Sequence, residues 1–262
     1  MKVRSALRLA SLWWAISVLP AAAQDDAIAL TGHINAAMAA RVHGALQNGK
    51  LHTIRVDSSG GEDLPALAIA RDMAQSRAAL TVAGVCAGPC ANYLFLAANR
   101  RTLLPGALVI FSATATSRLA MVPPGRRNEV RPAYAEAASQ EKQLTRNIAL
   151  LLEPQLQLQT ACYSLTSRDD AGRAYINYRS DFVGWVPSRA YLEQAGIRFS
   201  GTWPQGANQF QAALRNAFPG GLRGEIRFAE SNAPPSASRL LAQLAMIPEC
   251  DKGPASRPAR SR

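Results

Sequence analysis

Histidine is scarce in this chain: 262 residues hold three, His33, His43 and His52. The four cysteines, Cys86, Cys90, Cys162 and Cys250, lie far from them in sequence, and their spacings match no zinc pattern. Both facts argue against a metal site. No glycine-rich phosphate loop or nucleotide motif occurs, so no cofactor is expected. No internal repeat is found, which argues against a solenoid or propeller. Beyond residue 23, no apolar run reaches the roughly 20 residues that a bilayer-spanning helix needs. Acidic residues are few beside basic ones, 18 against 29, for a formal charge of +11.

The charge is partly a property of the ends. Lys2, Arg4 and Arg8 carry three of the positive charges, and the tail 251–262 carries a net three more, which leaves +5 on the body. Scattered arginines on an exported chain fit no nucleic-acid partner. Weak attraction to anionic lipid or envelope polymers is the milder expectation.

Export is read from the start of the chain. The three basic residues precede an apolar run over 9–19, too short for a bilayer. Ala21-Ala22-Ala23 then offers a small-residue cleavage site before Gln24. Residues 1–23 are therefore expected to be a signal peptide, the rival being an uncleaved membrane anchor. The processed protein is expected to be soluble, without a transmembrane span, and periplasmic or secreted. Outside the cytosol, four cysteines favour disulfides. They allow three pairings. Cys86–Cys90, close in sequence, with Cys162–Cys250, tying the C-terminal end to the body, is the preferred one.

The N-terminal half alternates between strand and helix patterns. Strands are expected at 27–31, 51–56, 79–85, 103–104 and 108–111, and helices at 35–46, 64–76 and 91–98. Asp57–Gly61 reads as a tight turn. This alternation indicates an α/β fold with a mainly parallel sheet and flanking helices. Later the rhythm changes. Residues 117–127 read as a surface loop around Pro123-Pro124-Gly125, with Arg126-Arg127 solvated. A long helix is expected over 132–152, with Leu144, Ile148, Leu151 and Leu152 in a stripe. A strand at 174–178, a short helix ending near Gly196 and a helix at 239–246 follow within an otherwise irregular C-terminal extension. Tyr175, Tyr178, Phe182, Trp185 and Trp203 fit core packing better than a ligand groove. One domain is expected over 24–250, its core at 27–152, before a disordered basic tail at 251–262.

Two segments stand out together. One is Ile54-Arg55-Val56-Asp57-Ser58-Ser59-Gly60-Gly61 before a helix. The other runs from Val82 through Cys86-Ala87-Gly88-Pro89-Cys90-Ala91-Asn92-Tyr93 to Pro105-Gly106-Ala107 and the strand ending at Phe111-Ser112. This order resembles the Clp-protease branch of the crotonase-like superfamily. It is more similar still to exported proteins of that fold with a Cys-x-x-x-Cys-Ala-Asn-Tyr segment. The resemblance covers about half the chain, 27–152. It implies a ClpP/crotonase-like sheet and self-association. It also implies a glycine pair, here Gly60 and Gly61, whose backbone amides approach a substrate carbonyl.

The resemblance places the family's nucleophilic serine at Pro89, or at Gly88 in the neighbouring register, and its histidine at Ser112. None of these three can perform the family chemistry. The expectation is a degenerate, non-catalytic relative of serine peptidases. It would bind an extended peptide or an envelope component through Ser58, Ser59, Gly60 and Gly61. Two alternatives stay open. Cys90 follows the nucleophile position and would serve a cysteine-dependent hydrolase if its thiol were free. A serine hydrolase would need Ser58, Ser59 or Ser112 to meet His33 or His52.

Overall fold

The first described element is a strand whose two buried side chains stand four positions apart. In β1, Ala27–Ile34, Leu30 and Ile34 point inward. Helix α1, Ala36–Gln47, follows, capped by the Asn35 side chain, which accepts from the Met38 N–H at 3.0 Å. Strand β2, Thr53–Gly61, buries Ile54, Val56, Ser58 and Gly60 at every second position. Helix α2, Asp63–Ser76, buries Leu67, Ile69, Ala70 and Met73 and ends on Arg77 in the left-handed region. Strand β3, Ala79–Ala87, leads into a π-helical segment, Cys90–Phe95. Strands β4, Arg100–Leu103, and β5, Leu108–Ile110, both pair with β3, one beside its first half and one beside its end.

The computed structural model describes residues 27–49, 52–144, 161–165, 168–179, 182–221, 224–229 and 237–250. The expected signal peptide, the end of the long helix with Ile148, Leu151 and Leu152, and the basic tail lie outside these residues.

The central sheet runs β1-β2-β3-β4-β9 with β5 beside β3, and every pairing within it is parallel. The expected α/β class, with a mainly parallel sheet and flanking helices, is what is found. Three expectations are corrected. Asp57–Gly61 is not a tight turn: β2 stays extended to Gly61, opposite Ile34 of β1, because the inward alternation simply continues through small residues. Residues 117–127 are not a surface loop. They hold most of α3, Ala115–Met121, and the start of a 3-10 segment, Pro124–Glu129. Thr114 and Ser117 close a capping box that starts α3 ahead of the Pro-Pro-Gly signal. Arg126 and Arg127 are not merely solvated. Arg126 bonds Glu129 and Glu249, and Arg127 donates to the Val122 carbonyl at 3.2 Å.

The C-terminal part is also more regular than expected. Helix α4, Pro132–Leu144, packs on α2 and α3. Then come β6 (Cys162–Ser164), β7 (Asn177–Arg179), β8 (Phe182–Pro187), α5 (Arg189–Gln194), β9 (Ser200–Gly201), α6 (Ala207–Ala217), β10 (Glu225–Ala229) and α7 (Ala237–Leu244). β9 extends the central sheet through two residues, too few to leave a periodic signal. Trp185, Trp203 and Phe210 join the core formed by Leu30, Ile54, Val56 and Phe95. A second apolar cluster joins Met121, Val122, Tyr163, Ile176, Leu240 and Leu244. Among the described residues no helix is long and apolar enough to cross a membrane.

Candidate functional site

The segments singled out in the sequence meet at the C-terminal ends of β2, β3 and β5. In open parallel sheets this is where ligand crevices form. Gly60 has φ +131°, and a Cβ there would stand 3.6 Å from the Ala87 carbonyl oxygen and 3.7 Å from Cδ of Pro89. The requirement at Gly60 is therefore conformational. At Gly61, whose φ is +157°, it is spatial as well, since a Cβ would come within 2.4 Å of the Ile34 carbonyl oxygen. Gly88, at φ +55°, faces Ser112, whose Oγ would lie 3.2 Å from an added Cβ.

The glycine pair is braced from inside. Ser58 is fully buried, and its hydroxyl donates to the Gly32 carbonyl at 2.6 Å and accepts from the Gly60 N–H at 3.2 Å. Its hydroxyl and the Gly60 amide are committed to each other. Ser59 is exposed, Gly61 and Ser112 are half-buried, and Gly88 and Pro89 are buried. Pairing of β2 with β3 ends at Ser58 opposite Cys86, while β2 itself runs on to Gly61.

Cys86 and Cys90 form a disulfide, as do Cys162 and Cys250. Both sulfurs of the first bridge are buried, so Cys90 presents no thiol in this state. The bridge spans the Gly88-Pro89 turn and fixes where the π-helical segment starts. Such segments often mark functional sites. Among the described residues no hydrogen bond joins His33 or His52 to a serine. His33 lies opposite Gly60 in the β1–β2 register with its side chain exposed. His43 pairs instead with Asp72 at 3.0 Å.

Two groups of residues were given no role in the sequence reading. Asn92 is fully buried, and its side-chain amide bonds both backbone groups of Ser112, at 3.1 and 3.3 Å. Behind it, Glu141 is fully buried at the start of α3. Its carboxylate accepts from the Ala115 N–H at 2.8 Å, the Thr116 N–H at 2.9 Å, the Thr116 hydroxyl and the Tyr93 hydroxyl. Burial pushes the Glu141 carboxyl above its ordinary range, against the opposing pull of these donors. Burial, then Asp63 and Glu141, push the Tyr93 hydroxyl well up, so it stays a donor. Asp63 lies 3.2 Å from the Tyr93 hydroxyl and pairs with Arg118 at 2.9 Å. The only signal for Glu141 was its place on the 137–141–144 face of α4.

This network backs a cleft of about 250 Å³ lined by Gly61, Asp63, Arg118, Arg131 and Tyr134. Arg131 pairs with Asp169 at 3.4 Å and stacks on Tyr175. The aromatic expectation divides: Trp185 and Trp203 are buried in the core, and Tyr175 is half-buried under Arg131. Among the described residues no three histidine, cysteine or acidic side chains are grouped to hold a metal ion. Compared with known proteins, the chain matches no family model and no curated sequence.

Proposed function

We propose that this chain is an exported relative of Clp-type serine peptidases, of ClpP/crotonase-like fold, that binds extended peptide without hydrolysing it. The observation that carries this reading is the meeting of Gly60 with Pro89 and of Gly88 with Ser112 beside the ends of parallel strands. In the resemblance, Pro89, or Gly88 in the neighbouring register, takes the nucleophile position and Ser112 the base position. Neither proline nor glycine offers a hydroxyl there, and a serine hydroxyl is no base near neutral pH. Beyond Ser58 the β3 side of β2 is left without a strand partner, while Gly60 and Gly61 stay paired with β1, and that side offers main chain for strand addition. The adjoining cleft beside Gly61 offers room for a side chain. Two disulfides favour an oxidising compartment, periplasmic or extracellular. An envelope component with an extended polyamide or peptide portion fits the same groove.

Titration with a mixture of unstructured peptides, followed by backbone amide NMR, tests the reading. Saturable shifts at Ser59, Gly61 and Ser112 are expected. Shifts confined to other surfaces, or none, overturn it. A second reading, hydrolysis by a displaced serine, draws on the register that sets the exposed His33 opposite Gly60.

A further inference from the structure

We propose that a groove between α3, α4 and α7, separate from the glycine site, binds a single-chain fatty carboxylate. Three alanines make the groove. Ala120 on α3, Ala138 on α4 and Ala245 just beyond α7 are too small to fill the space where the helices converge, and about 240 Å³ stays open. Leu119 and Leu241 complete apolar walls. Thr116 adds no free donor, because its hydroxyl is spent on Glu141. An apolar cavity of roughly 150 Å³ accepts benzene, so this space suits a chain of about eight to ten carbons.

The charges choose the head group. Arg127 and Lys142 are both exposed at the groove, and among the described residues no carboxylate lines it. Neither makes an ion pair with a described residue; Arg127 uses its Nε on the Val122 carbonyl. The cleft beside Gly61 differs, since its arginines are matched by Asp63 and Asp169. An apolar slot with two unmatched cations complements an alkyl chain ending in an anion.

Calorimetric titration of the full chain with octanoate and decanoate, below their micellar range, tests this. One saturable site is expected, with affinity falling about three- to fourfold for each methylene removed. Decanol is expected to bind at least tenfold more weakly than decanoate. The double variant Arg127→Glu, Lys142→Glu should lose at least tenfold in decanoate affinity, and Ala245→Phe should block the groove. All three positions are exposed, and circular dichroism checks that the variants remain folded. Absence of saturable binding, equal binding of decanol, or decanoate binding untouched in folded variants overturns the proposal. The peptide reading is unaffected by any of these results, since its residues lie elsewhere.

Discussion

Asn92 and Ser112 are joined by two hydrogen bonds: the Asn92 amide donates to the Ser112 carbonyl at 3.1 Å and accepts from its N–H at 3.3 Å. A buried side chain thus holds the backbone of the residue facing Gly88. Asn92→Ala strands both Ser112 backbone groups and is expected to cost about 2–3 kcal/mol. Asn92→Asp keeps the acceptor but sets a carboxylate against the Ser112 carbonyl, so its loss should grow with pH. Urea unfolding of both variants at pH 5 and pH 8 measures this.

Gly61 fixes the distance between β1 and β2. Gly61→Ala drives a methyl group to 2.4–2.6 Å from Ile34 atoms, most of them backbone, which cannot rotate away. A loss of about 3 kcal/mol or more is expected, against a smaller one for Gly32→Ala, which meets the strain of a φ of +83° but no atom within 4 Å. Similar losses at both positions would mean that crowding by β1 is not what requires Gly61.

Glu141 gives stability a pH dependence of definite sign. Its carboxyl lies above the ordinary value in the folded chain, burial being the main cause. From about pH 4.3, the ordinary glutamate value, up to that raised value, the folded chain keeps a proton that the unfolded chain has lost. Stability therefore falls as pH rises through this window and levels off above it. The charged or titratable groups facing Glu141 are Tyr93, Asp63 and Arg118. Glu141→Gln has no proton to lose at this site. The stability of the native protein relative to Glu141→Gln should decline from pH 4 to pH 8 in urea unfolding. An increase would show that the donors from Thr116, Ala115 and Tyr93 outweigh burial.

The two disulfides should differ in both worth and reactivity. Cys162–Cys250 closes 88 residues of chain, and removing it should cost about 4–5 kcal/mol by loop entropy. Cys86–Cys90 spans four positions, and the same argument gives about 2 kcal/mol. Cys86 and Cys90 are fully buried, whereas Cys162 and Cys250 are half-buried. Mild dithiothreitol should therefore open Cys162–Cys250 first, read by differential alkylation and peptide mass mapping. Earlier alkylation of Cys90 would contradict the enclosed Gly88-Pro89 turn.

What was legible in the sequence followed local rules. Ile54 and Val56 showed their alternation, Leu67 to Met73 their helical stripe, and the cysteines their spacing. The continuation of β2 through Ser58 and Gly60 was not legible. Buried small residues carry no hydrophobic signal, and Ser-Ser-Gly-Gly is also turn chemistry. Pro123-Pro124-Gly125 hid α3, whose start depends on the Thr114–Ser117 capping box. Glu141 reads as an ordinary helix-surface glutamate. Its role exists only once α4 meets the first turn of α3 and Tyr93, which no local pattern reports. The same holds for Asn92, whose partner lies 20 positions away.

Labelling of the purified, oxidised protein with a fluorophosphonate probe, mapped by mass spectrometry, tests most directly whether this glycine-lined crevice is without acylation chemistry, as proposed. The predicted result is no adduct on any serine, with amide shifts on peptide addition in the same preparation. One stoichiometric adduct on Ser59 or Ser112, abolished by His33→Ala, would contradict it and establish a hydrolase built from displaced residues.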